Sequence, residues 1–246
     1  MDCATCGRSI PDGSMACVHC GAPTAKAAET APGANTAPGG AAIAPTVVPS
    51  AAANRLIERV KAILLTPRAE WPRIAAEATT AQDIYLRYVA PLVAIGIVAS
   101  FIGHVVVGVP IPLLGTVRLG VGTALAAAIV HFVLTFIAVF VIALIVDALA
   151  PTFGGRKDAL SALKVTAYSF TPGWVAAILT ILPVLGPIAG LIGLYGLYLM
   201  YLGLPVLMGA PREKALGYTV VVVLCAIVLS IVVSMVSGLV TGGYAV

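Results

Sequence analysis

The chain has 246 residues, of which 60% are hydrophobic and only 10% are Asp, Glu, Lys or Arg, with a formal net charge of +4. Soluble domains carry roughly 25% charged residues, so a single soluble globule is excluded, because it could not cover its surface with polar side chains. From Tyr88 onward the apolar residues gather into long blocks with almost no charge, the pattern of an all-α membrane protein with several crossings.

Four cysteines open the chain as two Cys-x-x-Cys pairs, Cys3/Cys6 and Cys17/Cys20, each followed by glycine. Two residues between thiolates let one turn present both sulfurs to a tetrahedral ion at about 2.3 Å, and Pro11-Asp12-Gly13 supplies a hairpin tip between the pairs. Residues 1–24 are too few to bury a core of their own, so metal ligation would carry their folding energy. The spacing predicts a small zinc ribbon with a structural zinc on Cys3, Cys6, Cys17 and Cys20, iron being the other candidate ion. Two disulfides would need an oxidising compartment, and a redox dithiol would need a βαβ context. With Arg8 set against Asp2 and Asp12 the ribbon is weakly acidic, so nucleic acid is not an expected partner. A docking knob for a cytoplasmic protein, or a passive cap, remains.

Residues 25–53 read as a disordered Ala/Pro/Gly linker. Counted from Gly21, 27 of 33 residues are Ala, Gly, Pro, Ser or Thr, a composition with little to bury. As a coil it spans about 30 Å, and about 100 Å if proline keeps it extended. Residues 54–87 then change character. Asn54 is placed to cap a helix with Leu56, Ile57, Val60, Ile63 and Leu64 on one face, and Arg55, Glu58, Arg59 and Lys61 on the other. Pro67 ends it. Arg55, Arg59, Lys61 and the indole of Trp71 predict a helix lying at the membrane interface beside anionic lipid. The competing reading packs the same apolar stripe against the membrane bundle.

Residues 88–240 predict five transmembrane helices, near Tyr88–Val109, Leu119–Ala150, Leu163–Leu182, Val184–Met208 and Leu216–Val240. The second, at 32 residues and about 48 Å, must tilt or protrude. Pro or Gly punctuates the connectors at Pro110-Ile111-Pro112, at Pro151 to Gly155 and at Gly209-Ala210-Pro211. Alternating sides puts thirteen Lys and Arg on one face and only Arg118 on the other. The positive-inside rule then places the N-terminus in the cytoplasm and Val246 outside. Met1-Asp2-Cys3 has neither a basic n-region nor an apolar h-region, so the expectation is that no cleaved signal precedes residue 87.

Within the spans, His131, Asp147 and Lys164 are the ionisable groups that call for a functional hypothesis, with His104 near the outer end of span one. Asp147 and Lys164 are placed to pair at the cytoplasmic side, and His131 with Asp147 suggests an ion path. The plainer reading is one interfacial pair and one satisfied histidine. Tyr168 to Trp174, with Pro172 and Gly173, predicts a break in the third span that lines a site or kinks the helix. Gly186, Gly190 and Gly193, and likewise Ser230, Ser234 and Gly238, predict close helix contacts. Cys225 reads as a small apolar residue.

Leu64-Leu65-Thr66-Pro67 with Trp71, Gly154-Gly155-Arg156 leading to Ala167-Tyr168-Ser169 and Pro172, and Leu194-Tyr195-Gly196-Leu197-Tyr198 into Leu204-Pro205-Val206 resemble the Yip family of Ypt/Rab-interacting membrane proteins. The resemblance covers about residues 55–240. It implies a five-helix membrane domain with a cytoplasmic N-terminus and supplies no catalytic residue to transfer. The N-terminal ribbon on a low-complexity tether resembles bacterial-type members, which implies the bacterial plasma membrane. No nucleophile with a base, paired carboxylates or phosphate-binding glycine loop is present, so no enzyme activity is expected. The expected function is a membrane adaptor that contacts lipids and other membrane proteins or its own copies and recruits a cytoplasmic protein through the ribbon. The alternative is a transporter or channel component using the polar residues of spans two and three.

Overall fold

The computed structural model describes Ser9, residues 51–111 and residues 115–240. The proposed zinc ligands Cys3, Cys6, Cys17 and Cys20, and the linker up to Ser50, lie outside the described residues. The described helices all belong to the unit Val48–Val246.

Leu56, Val60, Ile63 and Leu64 recur at helical spacing and bury one side of α1 (Ala51–Leu65) in the core. The helix begins before Asn54, which therefore lies within it and does not cap it. Thr66 leaves helical geometry at φ −134° because the residue before a proline is crowded out of that region. Pro67 then opens α2 (Pro67–Ala76) at a position where a missing N–H costs nothing. One proline thus ends one helix and begins the next.

Thr80 caps α3 (Ala81–Val107), its hydroxyl accepting from the Asp83 N–H at 3.1 Å and donating to the Asp83 carboxylate at 2.7 Å. A π turn at Tyr85–Val89 precedes Pro91, whose ring would otherwise press on the preceding turn. Gly108, at φ +86°, stops the helix. An antiparallel hairpin follows, β1 (Val109–Ile111) with β2 (Gly115–Val117), pairing Val109 with Val117 and Ile111 with Gly115. The plain loop expected at Pro110-Ile111-Pro112 is thus partly strand, a small addition to an otherwise helical fold.

Among the described residues, four helices are long and apolar enough to cross a membrane: Ala81–Val107, Val121–Phe153, Pro183–Met208 and Arg212–Gly238. In the second, α4 (Val121–Leu149) passes into a 3-10 turn, and left-handed Gly154 at φ +77° ends it. The expected third span is segmented. It comprises α5 (Ala159–Ser169), α6 (Thr171–Ala176) and a 3-10 turn Ala177–Ile181. The break falls at Phe170, where the Thr171 hydroxyl donates back to the Tyr168 carbonyl at 2.8 Å and Pro172 follows. α5 also starts earlier than Leu163, because the Asp158 carboxylate accepts from the Leu160 and Ser161 N–H groups, each at 3.1 Å. α7 (Gly186–Gly193) and α8 (Tyr195–Met208) make the next crossing-length element, and Gly209 at φ +68° caps it. α9 (Arg212–Val240) is the last helix.

α5 is the packing centre, with every residue from Ala162 to Ser169 buried. It begins beside Ile74 and Glu77. The chain after it reaches Gly103, whose Cα faces the Thr180 and Ile181 carbonyls. The third segment therefore accompanies α3 from its first turn to its last. Of the expected small-residue faces, Gly193 meets Gly173, while Gly186 and Gly190 face open space. Ser230 and Ser234 are exposed.

Candidate functional site

Among the described residues two helices precede α3, and the side chains that hold them converge on α5. Lys164 is only 5% exposed. A buried ammonium has three protons to place, and α2 ends with carbonyls that have no helical partner. Lys164 Nζ donates to the Ile74 carbonyl at 2.9 Å and the Glu77 carbonyl at 2.7 Å, so a cation caps the negative end of the helix. The expected Asp147–Lys164 pair does not form. Asp147 instead has one carboxylate oxygen buried without a hydrogen-bond partner among the described residues.

Arg59 closes the same site from α1. Its guanidinium pairs with Glu70 through one nitrogen and Glu77 through the other, and its carbon lies 6.0 Å from the centre of the Tyr168 ring. Glu70 is 3% exposed, a burial that a lone carboxylate could not tolerate. Arg73 adds a longer contact to it at 3.5 Å. Arg59 was expected on a lipid-facing surface with Arg55 and Lys61. Arg55 and Lys61 are exposed, and Arg59 turns inward because its acids lie on the helix that folds back against it.

Trp71, expected as an interfacial anchor, is 1% exposed and sits in the core. Its ring meets Tyr168 edge-on at 6.4 Å and lies against Gly203 of α8, where an added Cβ would come within 2.8 Å of it. Tyr168 in turn packs on Tyr88 at 4.5 Å, and the Tyr88 and Thr171 hydroxyls share a hydrogen bond of 2.7 Å. Tyr195 donates to the Leu64 carbonyl at 3.0 Å, and Gly196 admits the Ser169 carbonyl. On the far side of α8, the Arg156 N–H donates to the Met208 carbonyl at 2.9 Å. The short sequence motifs at 64–71, 167–172 and 194–206 are thus mutual contacts around one polar clamp, while 154–156 lies apart from it against Met208 and Pro211. The clamp's acidic members, Glu70 and Glu77, escape a reading made one helix at a time. The signal for them was the presence of two carboxylates in a charge-poor chain, just past a helix-breaking proline.

A second feature lies between α3, α4 and the broken third segment. A cavity of about 180 Å³ is lined by Gly96, Ser100, His131, Thr135, Trp174 and Thr180 among others. His131 lines it, whereas Asp147 and Lys164 do not. Thr135 and Thr180 donate to the carbonyls of His131 and Ala177, at 2.7 and 2.6 Å, and His104 is bonded to the Ser100 carbonyl at 2.7 Å. Among the described residues, no three His, Cys, Asp or Glu side chains gather to hold a metal.

These elements define a multi-pass helical membrane protein whose packing centre is a broken, polar helix. A family model described as the Yip1 domain matches residues 61–235, and the chain belongs to that family. Comparison with curated proteins and with solved structures gives no match. The matched range takes in Glu70, Glu77 and Lys164 of the clamp, three of the four membrane-length helices whole and the last as far as residue 235.

Proposed function

We propose that this protein is a non-enzymatic membrane adaptor, in which a five-crossing domain carries a tethered zinc ribbon that recruits a cytoplasmic protein. The observation that carries the reading is the clamp. Lys164, Arg59, Glu70 and Glu77 satisfy one another and the end of α2, and so give the N-terminal extension a fixed point of departure at α1. The run of the third segment along the whole of α3 supports the fifth crossing. All described Lys and Arg other than Arg118 lie toward the end of the bundle that holds α1, α2 and the Arg156 connector, which supports a cytoplasmic N-terminus. Four thiolates at ribbon spacing support a structural zinc. In this reading the protein organises membranes or their traffic, in a bacterial plasma membrane, through its spans and the ribbon's partner.

An affinity pull-down from gently solubilised native membranes, comparing the intact chain with Cys17→Ser, tests it. A partner lost with the ribbon is the expected result, and an unchanged set of partners would contradict recruitment. The cavity beside His131 favours a second reading, a transporter or channel component. That reading requires solute flux into proteoliposomes that His131→Ala abolishes.

A further inference from the structure

The polar clamp engages Arg59, Arg73 and Lys164 but leaves a second group of cations untouched. Arg156 and Lys157 follow α4, while Arg212 and Lys214 open α9, and all four are exposed. Two connectors far apart in sequence are held together here. The Arg156 N–H donates to the Met208 carbonyl at 2.9 Å. A Cβ on Gly155 would lie 2.8 Å from the same oxygen, and one on Gly154 would lie 3.3 Å from Pro211 Cδ. That hypothetical Gly154 Cβ is also 3.8 Å from Lys214 Nζ, so the two pairs of cations share one surface.

Among the described residues none of these four joins an ion pair, whereas Arg59, Arg73 and Arg87 all do. Of the neighbouring carboxylates, Asp158 is occupied by the Leu160 and Ser161 N–H groups and the Ser161 hydroxyl. Glu213 is exposed between Arg212 and Lys214. Four cations thus face two carboxylates, Asp158, which interacts with Arg156, and Glu213, so the surface is net positive and open. Its height is set by the helices: Phe153 and Met208 end two membrane-length helices and Arg212 begins a third. Cations placed within a few residues of three helix ends lie at the level of lipid headgroups.

We infer that Arg156, Lys157, Arg212 and Lys214 form a binding site for the phosphodiester headgroup of an anionic glycerophospholipid. Charge complementarity points to an anion, and position at the helix ends points to the surrounding bilayer as its source. The site does not depend on the ribbon, so it stands or falls separately from recruitment.

The test uses the full chain in mild detergent, titrated with phosphatidylglycerol or phosphatidylcholine and read by native mass spectrometry. The wild type retains phosphatidylglycerol in preference to phosphatidylcholine. Neutralising all four in R156Q/K157Q/R212Q/K214Q removes the preference, each cation contributing about fivefold at low salt. The exchange variant R156K/K157R/R212K/K214R keeps it, which separates charge from folding, and Arg118→Gln at the opposite end leaves it unchanged. Equal binding of the two lipids by the wild type would overturn the assignment. So would phosphatidylglycerol binding that survives the fourfold neutralisation. Binding of polyglutamate that needs the four cations, without lipid preference, would reassign the surface to an acidic protein segment and also overturn it.

Discussion

α5 and α9 are both helices of the same bundle, and almost nothing else about them agrees. α9 runs 29 residues, and Leu224, Ile227, Val228, Ile231 and Met235 along it are exposed. α5 runs 11 residues, eight of them buried in succession, and carries Lys164, Thr166, Tyr168 and Ser169. A helix that faces lipid must be apolar because hydrocarbon satisfies no polar group. A helix enclosed by protein can hold polar groups where neighbours supply partners, as the Ile74 and Glu77 carbonyls do for Lys164, although the buried Ser169 hydroxyl has no hydrogen-bond partner among the described residues. In this protein the specific contacts collect on the short, broken, polar helix, and the long apolar one bounds it.

That contrast can be tested by truncation on each side. Trp71→Ala, which empties the space between α2, Tyr168 and Gly203, is expected to cost about 3–5 kcal/mol. Leu224→Ala on the lipid side of α9, where the residue is 57% exposed, should change stability by no more than about 0.5 kcal/mol. Thermal unfolding in detergent measures both, and equal losses would break the contrast.

Lys164→Met keeps most of the apolar stem of the side chain and removes its donors. The Ile74 and Glu77 carbonyls then lose a charged partner, at a cost of about 2 kcal/mol. The loss should appear as faster protease cleavage between Leu65 and Ala81 with the remaining helices intact. Unchanged cleavage would show that the ammonium does not hold α2.

Glycine offers a comparison of sign. In a helix interior, alanine is intrinsically better than glycine by about 1 kcal/mol. Gly190→Ala, with nothing near the new methyl, should raise the unfolding temperature. Gly203→Ala, whose methyl would sit 2.8 Å from the Trp71 ring, should lower it, by the equivalent of about 1–3 kcal/mol. Two shifts of the same sign would contradict the Trp71 packing.

The smallest expected effect is at the start of α5. Hydrogen bonds from the Ser161 hydroxyl and backbone and from the Leu160 N–H, outweighing partial burial, hold the Asp158 carboxyl below its ordinary pKa. A depressed folded-state pKa gives stability that is present above the unfolded value, about 3.9, and is lost as pH falls through the folded one. Asp158→Ala should cost about 1 kcal/mol at neutral pH. The gap between variant and wild type should narrow only below about pH 4, as read from unfolding midpoints across a pH series.

Reading the sequence alone reached the lipid-facing parts well. Long apolar blocks, Pro67, Gly209 and the break before Pro172 each leave a local mark, and the structure places helix ends at all of them. What it missed depends on neighbours from elsewhere in the chain. Arg59 falls on the polar face of its own helix, and nothing in that periodicity says that Glu70 and Glu77 fold back upon it. Trp71 fits an interfacial belt by residue type, and only Gly203, distant in sequence, reveals the slot it fills. Lys164 and Asp147 both fall at the cytoplasmic ends of their spans, which suggests a pair, whereas the end of α2 offers Lys164 the Ile74 and Glu77 carbonyls. The β1–β2 hairpin was hidden by prolines that usually mark a loop.

The central claim is that the clamp fixes α1 and α2 on the membrane domain through α5. Hydrogen–deuterium exchange of the full chain in lipid nanodiscs, wild type against Lys164→Met, tests it most directly. The account predicts protection over residues 51–77 comparable to that of α5 in the wild type and lost selectively in the variant. Residues 51–77 exchanging freely in the wild type, or staying equally protected in the variant, would contradict it.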